Sequence, residues 1–192
     1  VRGREFSREP EDIIAEACEI IKGGVKEIML LGQNVNSYGK NCKHKMTFAE
    51  LLREINALEG DFRIRFMTSH PKDFGDKLID TMVECEKICR QLHLPFQAGN
   101  NRVLSDMNRK YTKEEYLEKI RKVKERIPDI YLSTDVIVGF PSETNEEFLD
   151  TIEVLKEVEF DMIFSFIYSP RKGTPAAEME EQIPDSVQKE RF

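Results

Sequence analysis

Tryptophan is absent from the 192 residues, and glycine and proline are scarce, at ten and eight. Collagen-like and low-complexity classes are excluded on that ground, and 40% hydrophobic with 34% charged residues describes one ordinary folded domain. No apolar run approaches the roughly 20 residues that a membrane helix needs. The opening residues Val1-Arg2-Gly3-Arg4 lack the pattern of a secretory signal. A soluble, cytoplasmic protein is the expectation. Four cysteines, Cys18, Cys42, Cys85 and Cys89, are too few and too irregularly spaced for a disulfide scaffold and fit a reducing compartment. The net charge of -7 argues only weakly against nucleic acid, because whole-chain charge says little about one face. The chain starts at Val1 rather than Met, so it reads as a piece of a longer protein.

What is present is a hydrophobic pattern that switches repeatedly between helical and strand periods. Helices are expected over residues 11–22, 48–58, 75–85, 112–126 and 145–158, with a last one cut short from Asp185. Two helical pieces follow residue 100, the second being the long one capped by Thr112. Strands are expected over 25–31, 62–67, 91–96, 130–138 and 161–168. Strands thus recur every ~30 to 40 residues with helices between them, the rhythm of an α/β parallel sheet or a TIM-like (β/α) barrel. Side-chain parity favours the barrel. Gln91, His93, Pro95 and Gln97 share one face while Leu92, Leu94 and Phe96 share the other, and Ser133, Asp135, Ile137 and Gly139 oppose Leu132, Thr134, Val136 and Val138. A doubly wound sheet buries both faces and reads as continuously apolar. Polar inward faces suit a partial barrel whose lumen holds something.

In such folds the site lies at the C-terminal ends of the strands. Five polar clusters follow the strands here: Gly32-Gln33-Asn34-Val35-Asn36, Thr68-Ser69-His70-Pro71-Lys72, Gln97-Ala98-Gly99-Asn100, Gly139-Phe140-Pro141-Ser142-Glu143, and the run from Ser169 to Pro175. Taken singly, each is what a turn requires. Five in succession on one edge describe a surface that hydrogen-bonds a polar cofactor carrying a ribose, an amino acid part and a base. Basic residues cluster in the same loops, among them Arg2, Arg4, Lys72, Arg102, Arg109, Lys110, Arg171 and Lys172, so an acidic protein presents a positive mouth to an anionic polymer. No metal site is expected: Cys85 and Cys89 read as ordinary half-buried cysteines, and His44, His70 and His93 have no zinc-like spacing. Walker, nucleophile-elbow and dinucleotide fingerprints are all missing.

The strand-end segments also resemble a known family. Val1-Arg2-Gly3-Arg4-Glu5, Leu30-Leu31-Gly32-Gln33-Asn34-Val35-Asn36-Ser37-Tyr38-Gly39, Arg63-Ile64-Arg65-Phe66, Thr68-Ser69-His70-Pro71-Lys72-Asp73-Phe74, Leu92-His93-Leu94-Pro95 and Phe166-Ile167-Tyr168-Ser169-Pro170-Arg171 carry the match, with Met107-Asn108-Arg109-Lys110-Tyr111-Thr112 and Ile137-Val138-Gly139-Phe140-Pro141 beside them. The sequence is similar to the central radical-SAM domain of MiaB-type methylthiotransferases, and the resemblance covers the whole chain. It implies a partial TIM-like barrel of the radical SAM type over residues 1–192. The implied reaction is conversion of isopentenyladenosine beside the tRNA anticodon to its 2-methylthio form. A 5′-deoxyadenosyl radical made from S-adenosyl-L-methionine (SAM) would activate the adenine ring for insertion and methylation of sulfur.

The resemblance places Gln33, Asn34, Ser69, His70, Gln97, Gly99, Ile137, Gly139, Phe140 and Pro141 around SAM, and turns Arg2, Arg4, Lys72 and Arg171 toward tRNA phosphates. The 4Fe-4S ligands would lie upstream of Val1, none of the four cysteines matching them. An N-terminal domain with an auxiliary cluster and a C-terminal TRAM domain would be missing too, so no residue of this piece is catalytic and it is inactive by itself. Partners would be tRNA and SAM without a membrane, and the protein a monomer. Alternatives are methylthiolation of a ribosomal protein or of threonylcarbamoyl-adenosine in tRNA, or a non-catalytic SAM-binding module. The family's usual Val-Gln-Ser-Gly-Ser is here Phe96-Gln97-Ala98-Gly99-Asn100, which removes a hydroxyl while leaving Gln97 and Gly99, so SAM binding is expected to survive.

Overall fold

The computed structural model describes residues 6–67 and 69–192, so Arg2, Arg4 and Thr68 lie outside the described residues. The chain divides into two compact units, one of residues 1–93 with 123–130 and one of residues 94–122 with 131–192.

In the first unit, helix α1 (Pro10–Lys22) has Pro10 in its first turn, where a missing amide donor costs nothing, and Glu11 and Asp12 against the positive end of its dipole. Gly24, at φ 91°, turns the chain into strand β1 (Glu27–Leu30), so the strand begins two residues later than the apolar run at Val25 suggests. Helix α2 (Phe48–Ala57) opens with a capping box in which Thr47 accepts from the Glu50 amide and Glu50 accepts from the Thr47 amide. Strand β2 (Arg63–Phe66) pairs with β1 in parallel, Ile28 opposite Ile64. Helix α3 (Asp76–Glu84) follows, and Ile88 bridges to Ile64 on the far side of β2. Leu52, Ile55 and Ile64, all wholly buried, form the centre of this core, with Phe48 set edge-on to Phe66 at 5.3 Å.

Strand β3 (Gln91–His93) ends the first of that unit's two stretches of chain and is half the expected length, because Pro95 has no amide to donate to a ladder. The second unit continues from Leu94 to Gln97 beside strand β4 (Tyr131–Val138), with ladder bonds from the Leu94 amide to Ser133 and from the Gln97 amide to Asp135. Side chains serve the peptide groups between them: Thr134 Oγ1 accepts from the Phe96 amide, the Tyr116 hydroxyl donates to the Leu94 carbonyl, and the Tyr111 hydroxyl donates to the Phe96 carbonyl. Tyr111 lies between helices α4 (Asn101–Asp106) and α5 (Lys113–Arg126) and Tyr116 on α5, and α6 (Asn145–Val158) leads to strand β5 (Met162–Ile167), parallel to β4. Two short helices complete the chain, α7 (Pro175–Glu178) and α8 (Asp185–Arg191), of which α7 carried no periodic signal. Strand β5 exposes Met162, Ile163, Phe164 and Phe166 along its length. Among the described residues no helix is long and apolar enough to cross a membrane.

Candidate functional site

Because both pairings are parallel, the loops that follow strands of one sheet emerge on one edge of it. In the first unit this brings the segment after β1 to the segment after β2. Asn34 donates through Nδ2 to Asp73 Oδ2 at 2.7 Å, and Asp73 takes Lys40 at 3.3 Å on its other oxygen. Asp73 in turn donates its amide to the His70 carbonyl, and His70 Nδ1 accepts from the Lys72 amide at 3.2 Å, forming a one-turn helix around Pro71. Burial works to raise the Asp73 carboxyl, but Asn34 and Lys40 together hold it below the ordinary carboxylate range.

The polar groups left over at this edge are informative. Ser69 is buried with its Oγ unpartnered, and neither amide atom of Asn36 nor Oδ1 of Asn34 has a hydrogen-bond partner among the described residues. Buried groups of this kind are rare unless a ligand or water serves them. Gln33 stands exposed at a cavity of about 740 Å³ that runs along residues 27–31 and under α1. Lys72 is exposed.

In the second unit Gln97 is buried and held at φ 73°, between the Asp135 carbonyl and the Ile137 amide. Ser142 is likewise left-handed, at φ 62°, so two non-glycine residues in strained backbone sit at strand ends where a site was expected. Ile137 is half-buried, and Gly139, Phe140 and Pro141 are buried. Phe140 packs edge-on to Tyr168 at 5.3 Å, and the Tyr168 hydroxyl is buried without a hydrogen-bond partner among the described residues. Gly139 sits at φ 70°; its amide donates to Glu143 Oε2 at 2.9 Å and its carbonyl accepts from Gln188 Nε2 at 3.1 Å. Arg191 donates to the same Glu143 oxygen at 2.7 Å, with the two side chains 8% and 1% exposed. Burial pushes the Glu143 carboxyl up, against the Gly139 amide and Arg191, which pull it down. Arg102 holds the other side of the turn, donating to Ser142 and pairing with Glu147.

Gly99 stands apart from this group. Its amide donates to Thr151 Oγ1 at 2.8 Å and a Cβ there would lie 2.4 Å from the Asp150 carbonyl oxygen, so its smallness serves close packing on α6. Asn100 caps α4 through the Arg102 and Val103 amides, a task serine performs equally, which explains why asparagine is tolerated there. Arg171 is exposed at the end of the β5 loop. Cys85 is buried and Cys89 half-buried; no described cysteine belongs to a group of residues that could hold a metal ion. The one such group among the described residues is Glu9, Glu11 and His44, in which His44 Nδ1 lies 3.0 Å from Glu11 Oε1. Sequence reasoning gave no role to Asp73, Glu143, Gln188 and Arg191. Asp73 and Glu143 lie inside motifs that were visible, whereas nothing in a short C-terminal helix marks Gln188 or Arg191.

A profile describing the radical SAM superfamily matches residues 1–155. The chain is 57% identical over 191 residues to the tRNA-2-methylthio-N(6)-dimethylallyladenosine synthase of Alkaliphilus oremlandii, covering all of this chain and 41% of that relative. The chain therefore spans well under half the length of that relative. Among solved structures, the radical SAM methyltransferase TsrM from Kitasatospora setae superimposes with a TM-score of 0.70 at 18% identity over 88% of this chain and 33% of its own. Coproporphyrinogen III oxidase from Escherichia coli gives 0.64 at 18% identity, over 98% of this chain and 45% of its own. The expected fold, parallel strands with outer helices as a partial TIM-like barrel of the radical SAM type, is borne out, as is the resemblance read from the strand-end motifs.

The Asp73 network makes a pH-dependent prediction. A depressed carboxyl contributes stability that is present above its unfolded pKa of about 3.9 and is lost as pH falls through the lower folded value. Asp73→Ala is expected to destabilise by about 1 kcal/mol at neutral pH. In urea melts the gap to wild type closes as pH falls below about 4; a gap that stays constant with pH contradicts the charge assignment.

Proposed function

The chain belongs to the radical SAM superfamily, and from that premise we propose that residues 1–192 form one core domain of a methylthiotransferase acting on isopentenyladenosine beside the tRNA anticodon. The observation that carries this reading is the 57% identity, across the whole chain, to a relative named for that product. The longer protein supplies what the chain lacks: the cluster-binding cysteines before Val1, an N-terminal methylthiotransferase domain and a C-terminal RNA-gripping domain. The piece alone is inactive in this reading, and the protein is a cytoplasmic monomer.

The residues fit SAM as a ligand. The unpartnered Ser69 Oγ, Asn34 Oδ1 and Asn36 amide offer both donors and acceptors to the ribose hydroxyls and amino acid part of such a molecule. SAM, when bound, supplies the methyl group and the radical chemistry after which the superfamily is named. The chain's own contribution is placement and dryness. Gln33, Asn34, Ser69 and His70 bind and orient polar atoms; Gln97 and Ile137 present backbone and wall; Gly139, Phe140 and Pro141 make a rigid apolar turn that keeps water out. Arg2, Arg4, Lys72 and Arg171 face tRNA phosphates, with the target base drawn out of its stack. The described cysteines do not make a cluster site, so no described residue is given a role in one.

The reading predicts that deleting the gene removes the 2-methylthio form of isopentenyladenosine from total tRNA nucleosides measured by mass spectrometry, while the unmodified isopentenyl form accumulates. Persistence of the methylthio form, with no second gene for it, contradicts the substrate and turns attention to a ribosomal protein. For the phosphate contacts, Lys72→Ala and Arg171→Ala in the full-length protein should each reduce the slope of log affinity against log salt by about 1. Unchanged slopes in filter-binding titrations would remove both residues from the RNA surface.

A further inference from the structure

Both peptide groups of Gly139 are taken by side chains, and each of those side chains is tied to α8. The amide donates to Glu143 Oε2, which also accepts from Arg191, and the carbonyl accepts from Gln188. Arg191 reaches further, donating to the Glu143 carbonyl at 3.0 Å and lying over the Phe148 ring at 5.4 Å. The fit around Gly139 is close enough that a Cβ there would stand 2.5 Å from Gln188 Cγ. A charge pair this buried gives little net stability compared with apolar residues of the same size, because desolvation offsets the attraction. What it does supply is geometry: an acceptor fixed in one place for the Gly139 amide, in a turn whose left-handed Ser142, at φ 62°, is costly to hold. Helix α8 lies beyond residue 155, outside the stretch that the superfamily profile matches. Gln188 and Arg191 therefore reach Gly139 and Glu143 from beyond the matched stretch.

We infer that Glu143, Gln188 and Arg191 are positioning residues through which α8 holds the Gly139 turn in its ligand-ready conformation and so sets the affinity for SAM. The inference rests on the reading of that turn as part of the SAM site. A turn released from the clamp samples other conformations, and apparent affinity falls with the fraction of competent turn.

The test uses the full-length protein and three variants: Arg191→Met, Arg191→Lys and Gln188→Leu, the last leaving the charge pair intact. Two quantities are read, hydrogen exchange of the 139–143 amides without ligand and the dissociation constant for SAM by equilibrium dialysis. Arg191→Met and Gln188→Leu are expected to lose amide protection at the turn and to weaken SAM about tenfold, with Arg191→Lys restoring most of both. Thermal midpoints are measured alongside, because a purely structural role lowers them without moving affinity in the protein that remains folded. A fall in midpoint alone, with turn protection and SAM affinity unchanged, overturns the inference. If the variants lose protection but the wild-type protein binds no SAM, the proposal falls through the reading it rests on, while the clamp itself stands.

Discussion

Parallel pairing is the constraint on which the rest depends. Ile28 sits opposite Ile64 in one unit and Val136 opposite Ser165 in the other, each pair running in the same direction. Each connection must therefore pass through a helix and return, and every chain reversal that leaves a strand falls on the same edge of its sheet. That is why Asn34, which follows β1, can bond Asp73, which follows β2. It is also why Gln97 and Ile137, far apart in the chain, share a hydrogen bond in the second unit.

Chain reversals at a buried edge leave peptide groups that must find partners, and the second unit meets that need with side chains. Thr134, Tyr111 and Tyr116 serve the backbone between Leu94 and Gln97, and Glu143 with Gln188 serves Gly139. In the first unit it is side-chain atoms of Asn34, Asn36 and Ser69 that are left without partners among the described residues, whereas at the second unit's edge the Tyr168 hydroxyl is. The contrast gives the two edges different characters. One is a rigid wall with strained residues at Gln97 and Ser142; the other is a set of free donors and acceptors that a polar cofactor would complete.

The α/β alternation was legible because apolar period reports burial, and burial dominates where helices cover strands. Strand ends were less legible: β3 stops at His93 because of Pro95, and β1 starts late because of the turn at Gly24, both local backbone effects that period alone does not register. Motif reading finds the strand-end clusters and places Gly99 around SAM, whereas Gly99 packs on α6, and the neighbouring Asn100 caps α4. The partners that hold the clusters were hidden for a simple reason. Arg191 acts on Glu143 across 48 positions of sequence, and a single arginine in a short charged helix looks like any solvated one.

The most direct measurement is hydrogen exchange by mass spectrometry on the full-length protein with and without SAM. The account predicts that SAM slows exchange in the segments that follow the strands, at residues 32–36, 69–73, 97–99 and 137–141, and leaves the outer helices α2 and α5 unaffected. Protection confined to the helices, or absent from the segments around Gln97 and Gly139, would contradict the placement of the cofactor and with it the proposed role of this chain.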